Sequence, residues 1–400
     1  MMMSRHVQTT LGKISSLITS GSRGWADYYS ETGALFLRMT NLPKDGIRIL
    51  LDDNKFVSLP SSSSEGQRTK VQPNDILISI TAELGKIGFI NDDLGEAYVN
   101  QHVALVRITS PDVHHKFIAY YLAAAPQRKL WQCLNDAGAK AGLNLQTISK
   151  FPVTLPPCPE QAAIANLLTT CDDAIDKAER LIAAKEKQKK AVMQSLLTSK
   201  LRLKGFSENW SEFHLGDLFK ERSERASDHL PLLSITREEG VIPRSEDRKD
   251  TSSEDKSNYL RICPGDIGYN TMRMWQGVSG LSSLEGIVSP AYTICTPKKG
   301  VDGEFMAYLF KLPRVVNLFY RYSQGLTSDT WNLKYKHFRE IKVTIPEINE
   351  QKAIAKVLKA YDEEIRLLKQ QLDALRRQKR GLMQKLLTGV WRVKTSKEVV

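Results

Sequence analysis

An internal duplication is the strongest constraint on the fold of this 400-residue chain. The segment that begins at Phe151, FPVTLPPCPEQAAIANLLTTCDDAID, aligns without a gap with the segment that begins at Ile341, IKVTIPEINEQKAIAKVLKAYDEEIR, at an offset of 190 positions. The match continues for about fifty residues. Its identical pairs include Val153 with Val343, Pro156 with Pro346, Glu160 with Glu350, Gln161 with Gln351, Asp172 with Asp362, and Met193 with Met383. The chain therefore reads as two copies of one unit.

The repeat also extends, more weakly, into the residues before each matched segment. VQPNDILIS at Val71 resembles ICPGDIGYN at Ile262, and GLNLQ at Gly142 resembles TWNLK at Thr330. Each copy thus consists of a diverged domain followed by a well-matched region. We predict diverged domains over residues 1–150 and 205–340, and repeated helical regions over residues 151–204 and 341–400.

The repeated regions have the apolar spacing of long helices. From Ile164 and from Ile354, apolar residues recur at alternating steps of three and four, which is the seam of a coiled coil sustained for about five heptads. Lysines interrupt the seam, and we interpret Lys185, Lys189 and Lys379 as residues that tune register and pairing. About 38 residues of helix would form a rod of roughly 57 Å.

The diverged domains predict a mixed architecture. DILISI from Asp75, HVALVRI from His102 and GIVSPAYTI from Gly286 alternate like strands, whereas KFIAYYLAAA and EFMAYLFKL are typical of short helices. We interpret SLPSSSSEGQ from Ser58 and SEDRKDTSSEDKSN from Ser245 as exposed loops. The predicted fold class is α/β (α+β), with two pseudo-symmetric domains joined by two long antiparallel coiled-coil helices.

Charge and cysteine usage narrow the class of partner. Lysine and arginine number 57 against 45 acidic residues, and the resulting net charge of +12 favours a polyanion such as nucleic acid. The five cysteines are scattered without a CxxC pair, as expected of reduced thiols in a cytoplasmic protein. We expect no membrane span and no secretory signal, because no long apolar run occurs.

Catalytic signatures are mostly missing from the sequence. There is no phosphate-binding GxxxxGK[ST] loop and no GxGxxG after a strand, and the adjacent His114 and His115 make a poor metal site. One alternative is a metal-dependent nuclease, in which Asp75, Glu83 and Lys86 would hold a divalent metal and a water. The second copy keeps only the aspartate of that set, so we do not favour this alternative.

The same loops make better candidates for DNA contacts. In the second copy the strand is followed by NTMRMWQG, whose arginine and glutamine can pair with base edges and whose tryptophan can contact bases. The predicted DNA-binding residues are Ser79, Thr81 and Lys86 in the first copy, and Asn270, Thr271, Arg273, Trp275 and Gln276 in the second. Four further basic residues are candidate phosphate contacts, namely Arg237, Arg244, Arg248 and Lys249.

Order, spacing and duplication together resemble a known family. The pattern Pro-x-x-x-Glu-Gln-x-x-Ile-Ala occurs at Pro156–Ala165 and again at Pro346–Ala355, and each helix ends similarly in QKKAVMQSLLT or QKRGLMQKLLT. Across nearly the whole chain, this arrangement resembles the specificity subunit of type I restriction–modification systems. The resemblance implies that each diverged domain is a target-recognition domain that reads one half of an asymmetric, bipartite DNA site.

The resemblance also implies the rest of the assembly. The chain would be a non-catalytic subunit without a cofactor or metal of its own. Two modification subunits would carry S-adenosylmethionine and methylate adenine N6, and two restriction subunits would add ATP- and magnesium-dependent translocation and cleavage. The helices would set the half-site spacing and dock the modification subunits. The candidate docking residues are the repeated Glu160, Gln161, Met193, Glu350, Gln351 and Met383, which could equally serve capping and core packing.

Two structural alternatives remain open from the sequence. A purely structural coiled-coil scaffold would not need unlike loops on duplicated domains, and a fragment of a fused methyltransferase would need a cofactor motif. If two readers sit on one face of the duplex, their centres should lie about one helical turn apart, roughly 34–36 Å.

Overall fold

The computed structural model describes residues 6–21, 23–59, 64–135, 142–225, 229–244, 256–327 and 330–393. The chain divides into two compact units. Unit 1 comprises Met1–Arg180 and Gln370–Val400, and unit 2 comprises Leu181–Lys369. Each unit therefore contains one diverged domain together with a part of each repeated helical region. The boundaries of the four predicted segments stay a prediction.

Both copies contain the same kinds of element in the same order, except that α2 of the first copy has no counterpart among the described residues of the second. The strands of the first copy are β1 (Val7–Thr10), β2 (Ser15–Ser20), β3 (Tyr29–Ser30), β4 (Ala34–Leu37), β5 (Phe56–Val57), β6 (Ile76–Ser79), β7 (Ile87–Phe89), β8 (Ala97–Val99), β9 (Val103–Ile108) and β10 (Pro152–Leu155). Its helices are α1 (Leu11–Ile14), α2 (Ser64–Thr69), α3 (His115–Ala123), α4 (Ala125–Cys133), α5 (Leu145–Ser149) and α6 (Cys158–Leu196). The strands of the second copy are β11 (Ser211–His214), β12 (Phe219–Arg222), β13 (Leu233–Ile235), β14 (Val241–Pro243), β15 (Leu260–Ile262), β16 (Ile267–Asn270), β17 (Ser279–Leu281), β18 (Gly286–Val288), β19 (Tyr292–Pro297) and β20 (Lys342–Ile345). Its helices are α7 (Leu215–Leu218), α8 (Gly303–Leu309), α9 (Pro313–Tyr322), α10 (Tyr335–Phe338) and α11 (Ile348–Leu386).

We call the diverged domain of each unit its head. The head of unit 1 is built on an antiparallel four-stranded sheet in the order β2-β9-β6-β7. All four residues of β6 are buried, which explains its unbroken apolar sequence Ile-Leu-Ile followed by Ser79. A second sheet, β3-β5-β4-β8, includes one parallel pair, β4 with β8. Strand β1 pairs with β10, in the register Val7 to Leu155, and so lies beside the residues that lead into α6.

The head of unit 2 repeats the principal sheet, in the order β12-β19-β16-β17, and again every pair is antiparallel. Short pairs β13–β14 and β15–β18 replace the second sheet of unit 1, and β11 pairs with β20 as β1 does with β10. One helix in each head, α5 in unit 1 and α8 in unit 2, begins at a polar cap. Asn144 and Asp302 each accept the backbone N–H of the third residue along, at 2.8 Å.

The predicted mixed architecture is confirmed, with helices and mostly antiparallel strands in both heads. Two local predictions are wrong. GIVSPAYTI is two strands, β18 and β19, in different sheets, because a turn at Ser289 separates them and places the Tyr292 N–H 3.0 Å from the Ser289 carbonyl. Part of the predicted loop from Ser58 is the helix α2, whose Gly66 and Thr69 are buried in the head. Most of the predicted loop from Ser245, residues 245–255, lies outside the described residues.

The two repeated helices are each 39 residues long and begin and end exactly one repeat apart. Their apolar seam is the least exposed line along each helix, and it includes the buried Ile164, Leu168 and Ile182 of α6 and Ile354, Leu358 and Leu372 of α11. In unit 1 the first part of α6 pairs with the last part of α11, since Glu179 contacts Arg376 and Asp172 contacts Lys379. In unit 2 the last part of α6 pairs with the first part of α11, since Lys185 contacts Glu364 and Lys189 contacts Asp362. Within each unit the two segments run antiparallel, as predicted.

Candidate nucleic-acid interface and docking residues

The candidate DNA loop of unit 2, residues 270–277, connects β16 to β17 and has a defined conformation. The Asn270 side chain accepts the Met272 N–H at 3.0 Å, and the Thr271 hydroxyl donates to the Ala291 carbonyl at 2.8 Å. The loop then forms a 3₁₀ turn over Met274–Gln276, whose inner face is the buried Met274. Gly277 ends the turn at φ 80°, a conformation that favours glycine. The loop therefore presents the exposed Arg273 from a fixed backbone.

Aromatic side chains from three parts of unit 2 meet at this loop. The ring centroids of Trp275 and Trp331 are 5.2 Å apart, and those of Tyr320 and Trp331 are 4.8 Å apart, both edge to face. We call these three residues the aromatic cluster. Tyr320 and the neighbouring Met272 are each exposed over more than two fifths of their surface. Exposed aromatic faces beside an arginine suit contact with nucleic-acid bases.

Sequence reasoning missed two members of the aromatic cluster. Trp331 lies inside the repeated motif TWNLK, and a signal was available, because the first copy has Leu143 at the matching position. Tyr320 lies in α9 and had no such signal. The Leu333 N–H donates to the Thr271 carbonyl at 2.8 Å, and this bond brings the two segments together.

A half-buried lysine holds the candidate loop against the head of unit 2. The Lys311 ammonium donates to the carbonyls of Gly277 at 2.8 Å, Ser279 at 2.7 Å and Arg237 at 3.0 Å. Burial lowers the pKa of Lys311 to about 8, although three carbonyl acceptors favour its charged form. The ammonium joins the end of the loop, at Gly277 and Ser279, to the Arg237 carbonyl in the turn between β13 and β14, and it thereby restrains where the loop can go.

The candidate loop of unit 1 is organised differently, and one prediction there is wrong. Ser79 is fully buried, its hydroxyl donates to the Glu83 carbonyl and accepts the Lys86 N–H, so it closes the turn and does not face DNA. Gly85 adopts φ 73°, and a Cβ there would lie 2.4 Å from the Trp131 ring. This turn packs so tightly that its first residue has no free face.

The other two candidates of unit 1 are closer to the surface. The Thr81 hydroxyl lies 2.9 Å from Nδ1 of His102. The Lys86 ammonium pairs with Glu83 at 2.9 Å. Of the candidate phosphate contacts in unit 2, Arg237 is exposed and Arg244 is half-buried, whereas Arg248 and Lys249 lie outside the described residues.

The geometry of Asp75 does not suit the nuclease alternative. Asp75 is buried, and Arg107 donates to both of its oxygens, at 2.9 and 2.7 Å, while the Gln72 N–H donates to Oδ2 at 2.7 Å. Asp266 of the second copy is engaged in the same way by Arg222, although that arginine comes from β12 and Arg107 comes from β9. Within the described ranges, no three His, Cys, Asp or Glu side chains gather as a metal site.

The four repeated Glu-Gln candidates for docking are buried, and the structure contradicts their prediction as partner contacts. Glu160 is bonded by Arg392, with Nη2 at 2.6 Å, and Glu350 by Arg202, with Nε at 2.7 Å. Each of these carboxylates thus neutralises an arginine that follows the end of the other repeated helix.

Hydrogen bonds from the two glutamines fix the start of each repeated helix to the head of the same unit. Gln161 accepts the His114 N–H at 2.9 Å and donates to the Pro156 carbonyl at 2.8 Å. Gln351 makes the equivalent bonds to Asp302, at 2.9 Å, and Pro346, at 2.8 Å. The remaining docking candidates, Met193 and Met383, are partly buried against the cores of units 2 and 1.

Together the fold and the loops define a class: a duplicated recognition protein in which one scaffold presents two unlike surface loops. The family model "Type I restriction modification DNA specificity domain" matches residues 57–186 and 280–377, more than half of the chain. The chain belongs to this family, the specificity subunits of type I restriction–modification systems. The predicted family is therefore confirmed, and nothing supports the nuclease alternative.

Known relatives and solved structures agree with this placement. The chain is 25% identical over 353 residues to the protein assigned as the MjaX type I restriction enzyme specificity subunit of Methanocaldococcus jannaschii, covering 80% of this chain and 79% of that protein. It is also similar in fold to the S subunit of a type I restriction–modification system from M. genitalium, with a TM-score of 0.58, 15% identity and 96% of both chains covered. A chain solved in work on assembly and conformational transition of the type I system gives a TM-score of 0.56 at 13% identity, over 96% of this chain and 97% of that one. No described helix is long and apolar enough to cross a membrane.

Proposed function

We propose that this chain reads one asymmetric, bipartite sequence in double-stranded DNA, with one half-site contacted by each head. The observation that carries the proposal is that the two copies share one scaffold but differ in their loops. Both heads share the four-stranded sheet and a buried aspartate–arginine pair. After the matched strands, however, one copy has SITAELGK and the other NTMRMWQG. Two different readers on one chain would select two different half-sites.

The second head offers the better-defined reading surface. Arg273 is exposed on a rigid loop beside the aromatic cluster, and a guanidinium of this kind can donate twice to guanine O6 and N7. In unit 1 the contact residues of the proposal are Thr81 and Lys86, without Ser79. The net charge of +12 supplies the sequence-independent attraction to phosphates.

The helices serve, in this proposal, as the spacer between the two half-sites. Each repeated helix is 39 residues long and contributes residues to both units. Because α-helices are stiff at this length, the number of residues in them would determine the number of base pairs between the half-sites.

Catalysis belongs, in this proposal, to partner subunits. Two modification subunits would bring S-adenosylmethionine and methylate adenine N6, and two restriction subunits would bring ATP- and magnesium-dependent cleavage in the cytoplasm. Since Glu160, Gln161, Glu350 and Gln351 are buried, the partners would dock on other surfaces that the duplicated scaffold offers twice.

Mapping methylated adenines tests the proposal. The full chain is expressed with its modification subunits in cells that lack other adenine methylation, and modified adenines are located across the genome. We expect one asymmetric motif in two parts separated by a constant gap. A continuous or palindromic motif, or no modification in a complex that assembles, would contradict the proposal.

A further inference from the structure

A buried charge cluster joins three elements in unit 1. The Tyr120 hydroxyl, from α3, donates to Oδ2 of Asp172 on α6 at 2.6 Å. The Lys379 ammonium, from α11, donates to the other carboxylate oxygen, and it also lies 5.5 Å from the centroid of the Tyr120 ring. Only 9% of the Lys379 side chain is exposed. One carboxylate is therefore shared by a residue of the head and a residue of the opposite helix.

Unit 2 contains the same cluster with the helices exchanged. The Tyr308 hydroxyl, from α8, donates to Oδ2 of Asp362 on α11 at 2.6 Å. The Lys189 ammonium, from α6, donates to Oδ1 and lies 5.4 Å from the Tyr308 ring centroid. We call the two clusters the Tyr-Asp-Lys triads. Two nearly identical geometries in heads of diverged sequence indicate a shared role.

The lysines of the triads are less exposed than the basic residues of the other ion pairs between the helices. The exposed fraction is 9% for the Lys379 side chain and 23% for the Lys189 side chain, and Lys185, which pairs with Glu364, is 27% exposed. Arg376 with Glu179 in unit 1, and Lys369 with Glu186 in unit 2, are paired at 2.6 and 2.7 Å but have side chains that are roughly half exposed. Exposed pairs of this kind contribute little and tolerate displacement, because water can replace either partner. The Lys379 ammonium is buried and cannot be displaced without losing its compensation, and the Lys189 ammonium is half-buried.

The neighbours of each aspartate make a slipped register costly. One turn before and after Asp172, the seam of α6 contains Leu168 and Ile175, and the matching residues around Asp362 are Leu358 and Ile365. A slip of one turn would place Lys189 beside Leu358 or Ile365. A slip of one turn toward the start of α6 would place Lys379 beside Leu168, whereas a slip in the other direction would bring it near Asp176. A charged residue in an otherwise apolar helix seam is a known means of specifying register.

The tyrosines extend this restraint from the helices to the heads. Tyr120 is buried in the core of unit 1 among residues of α3. Burial raises the pKa of Tyr120 and of Tyr308, so that both hydroxyls remain protonated and keep donating to the aspartates. Each triad thus ties a head to α6 and to α11 at a single carboxylate.

We propose that the two Tyr-Asp-Lys triads are positioning residues for DNA recognition, which lock the helix register and the placement of each head and thereby restrict binding to one half-site gap. This inference rests on the proposed function. In this inference the six residues of the triads keep the gap between the half-sites narrow, whereas the loops determine the half-site sequences.

A binding selection tests the role of the triads. The full chain, assembled with its modification subunits, selects from a library of random double-stranded DNA, and the bound duplexes are sequenced. For the wild type we expect one gap to exceed its neighbours by about tenfold. For the double variant Lys189→Met with Lys379→Met we expect that excess to fall to about twofold, with unchanged half-site sequences. The conservative pair Lys189→Arg with Lys379→Arg should restore a narrow gap.

Matched controls distinguish a positioning role from general stabilisation. Lys369→Met with Arg376→Met removes one exposed interhelical pair in each unit and should leave the gap as narrow as in the wild type. Equal broadening in this control, or an unchanged gap in Lys189→Met with Lys379→Met, would overturn the inference. If that double variant does not fold, Tyr120→Phe with Tyr308→Phe decides, since it removes two hydroxyls and keeps both rings; an unchanged gap there would also overturn it. If the wild type itself selects no bipartite sequence, the proposed function fails and not the triads.

Discussion

Arg202 and Glu350, 148 residues apart in the chain, form a bidentate ion pair with Nε to Oε1 at 2.7 Å and Nη2 to Oε2 at 2.8 Å. The Trp210 indole also donates to this carboxylate, at 3.3 Å. Arg392 and Glu160 repeat the pairing in unit 1. Each pair closes the chain after one repeated helix onto the start of the other, so the most recognisable motif of the sequence is part of the scaffold.

Removing the charge of Glu350 should therefore destabilise the protein. For Glu350→Gln we expect a loss of about 2–4 kcal/mol in the free energy of unfolding, because the half-buried Arg202 keeps its charge and loses the buried carboxylate that compensates it. Urea denaturation of the full chain measures this loss. The control Glu363→Gln breaks an exposed pair with Arg366 and should change stability by less than about 0.5 kcal/mol. Unaltered stability combined with lost partner binding would restore Glu350 as a docking residue.

Arg273 should read a base in the second half-site. We expect Arg273→Ala to weaken binding of the assembled complex to its DNA site by about 1–3 kcal/mol and to relax specificity at one position of that half-site only. Competition binding against single-base variants of the site measures both effects. Arg366→Ala, which removes an exposed arginine from α11, serves as the control and should leave specificity intact. Uniform weakening across all sequences would instead identify Arg273 as a phosphate contact.

Helix length should determine the half-site gap. Four residues inserted after Ala178 of α6, matched by four after Arg376 of α11, add about 6 Å of helix and should shift the preferred gap by one or two base pairs. The paired insertion keeps Asp172 with Lys379 on one side and Glu179 with Arg376 on the other. Selection from random duplexes measures the gap, and a constant gap in a folded complex would refute the spacer role of the helices.

Lys311 should make the stability of unit 2 depend on pH. Its folded-state pKa is lowered to about 8 from an ordinary 10.5, so between those pH values the unfolded chain binds more protons than the folded one. Stability should then rise with pH across this window, by about 2 kcal/mol between pH 8 and 10, relative to Lys311→Met. Urea denaturation of both proteins at several pH values gives the difference. A difference independent of pH would mean that the three carbonyl acceptors keep Lys311 fully charged.

Much of the architecture was predictable from local patterns. The offset of 190 residues, the heptad seam and the family motifs all lie in contiguous sequence, and the two helices have the predicted positions and antiparallel pairing within each unit. The candidate DNA loops after β6 and β16 stay a prediction. Their residue types favour contact with DNA, but residue type alone does not say which side chains are exposed.

The individual site residues were less predictable, because burial depends on what the rest of the chain places around them. Ser79 had the chemistry of a DNA contact, yet the packing of Gly85 on Trp131 closes its loop around the hydroxyl. Tyr320 was missed because its contact with Trp331 joins α9 to a later segment.

Duplication and helix period are properties of the order of residues in the sequence. The presence of two heads and two long repeated helices therefore follows directly from the sequence. Whether a polar side chain faces solvent or neutralises a distant charge depends on contacts between residues far apart in the chain, 232 positions for Glu160 with Arg392 and 207 for Asp172 with Lys379, which no local pattern encodes. Glu160 and Lys379 are examples: each meets its partner, Arg392 or Asp172, only after segments of the two repeated helices have packed antiparallel.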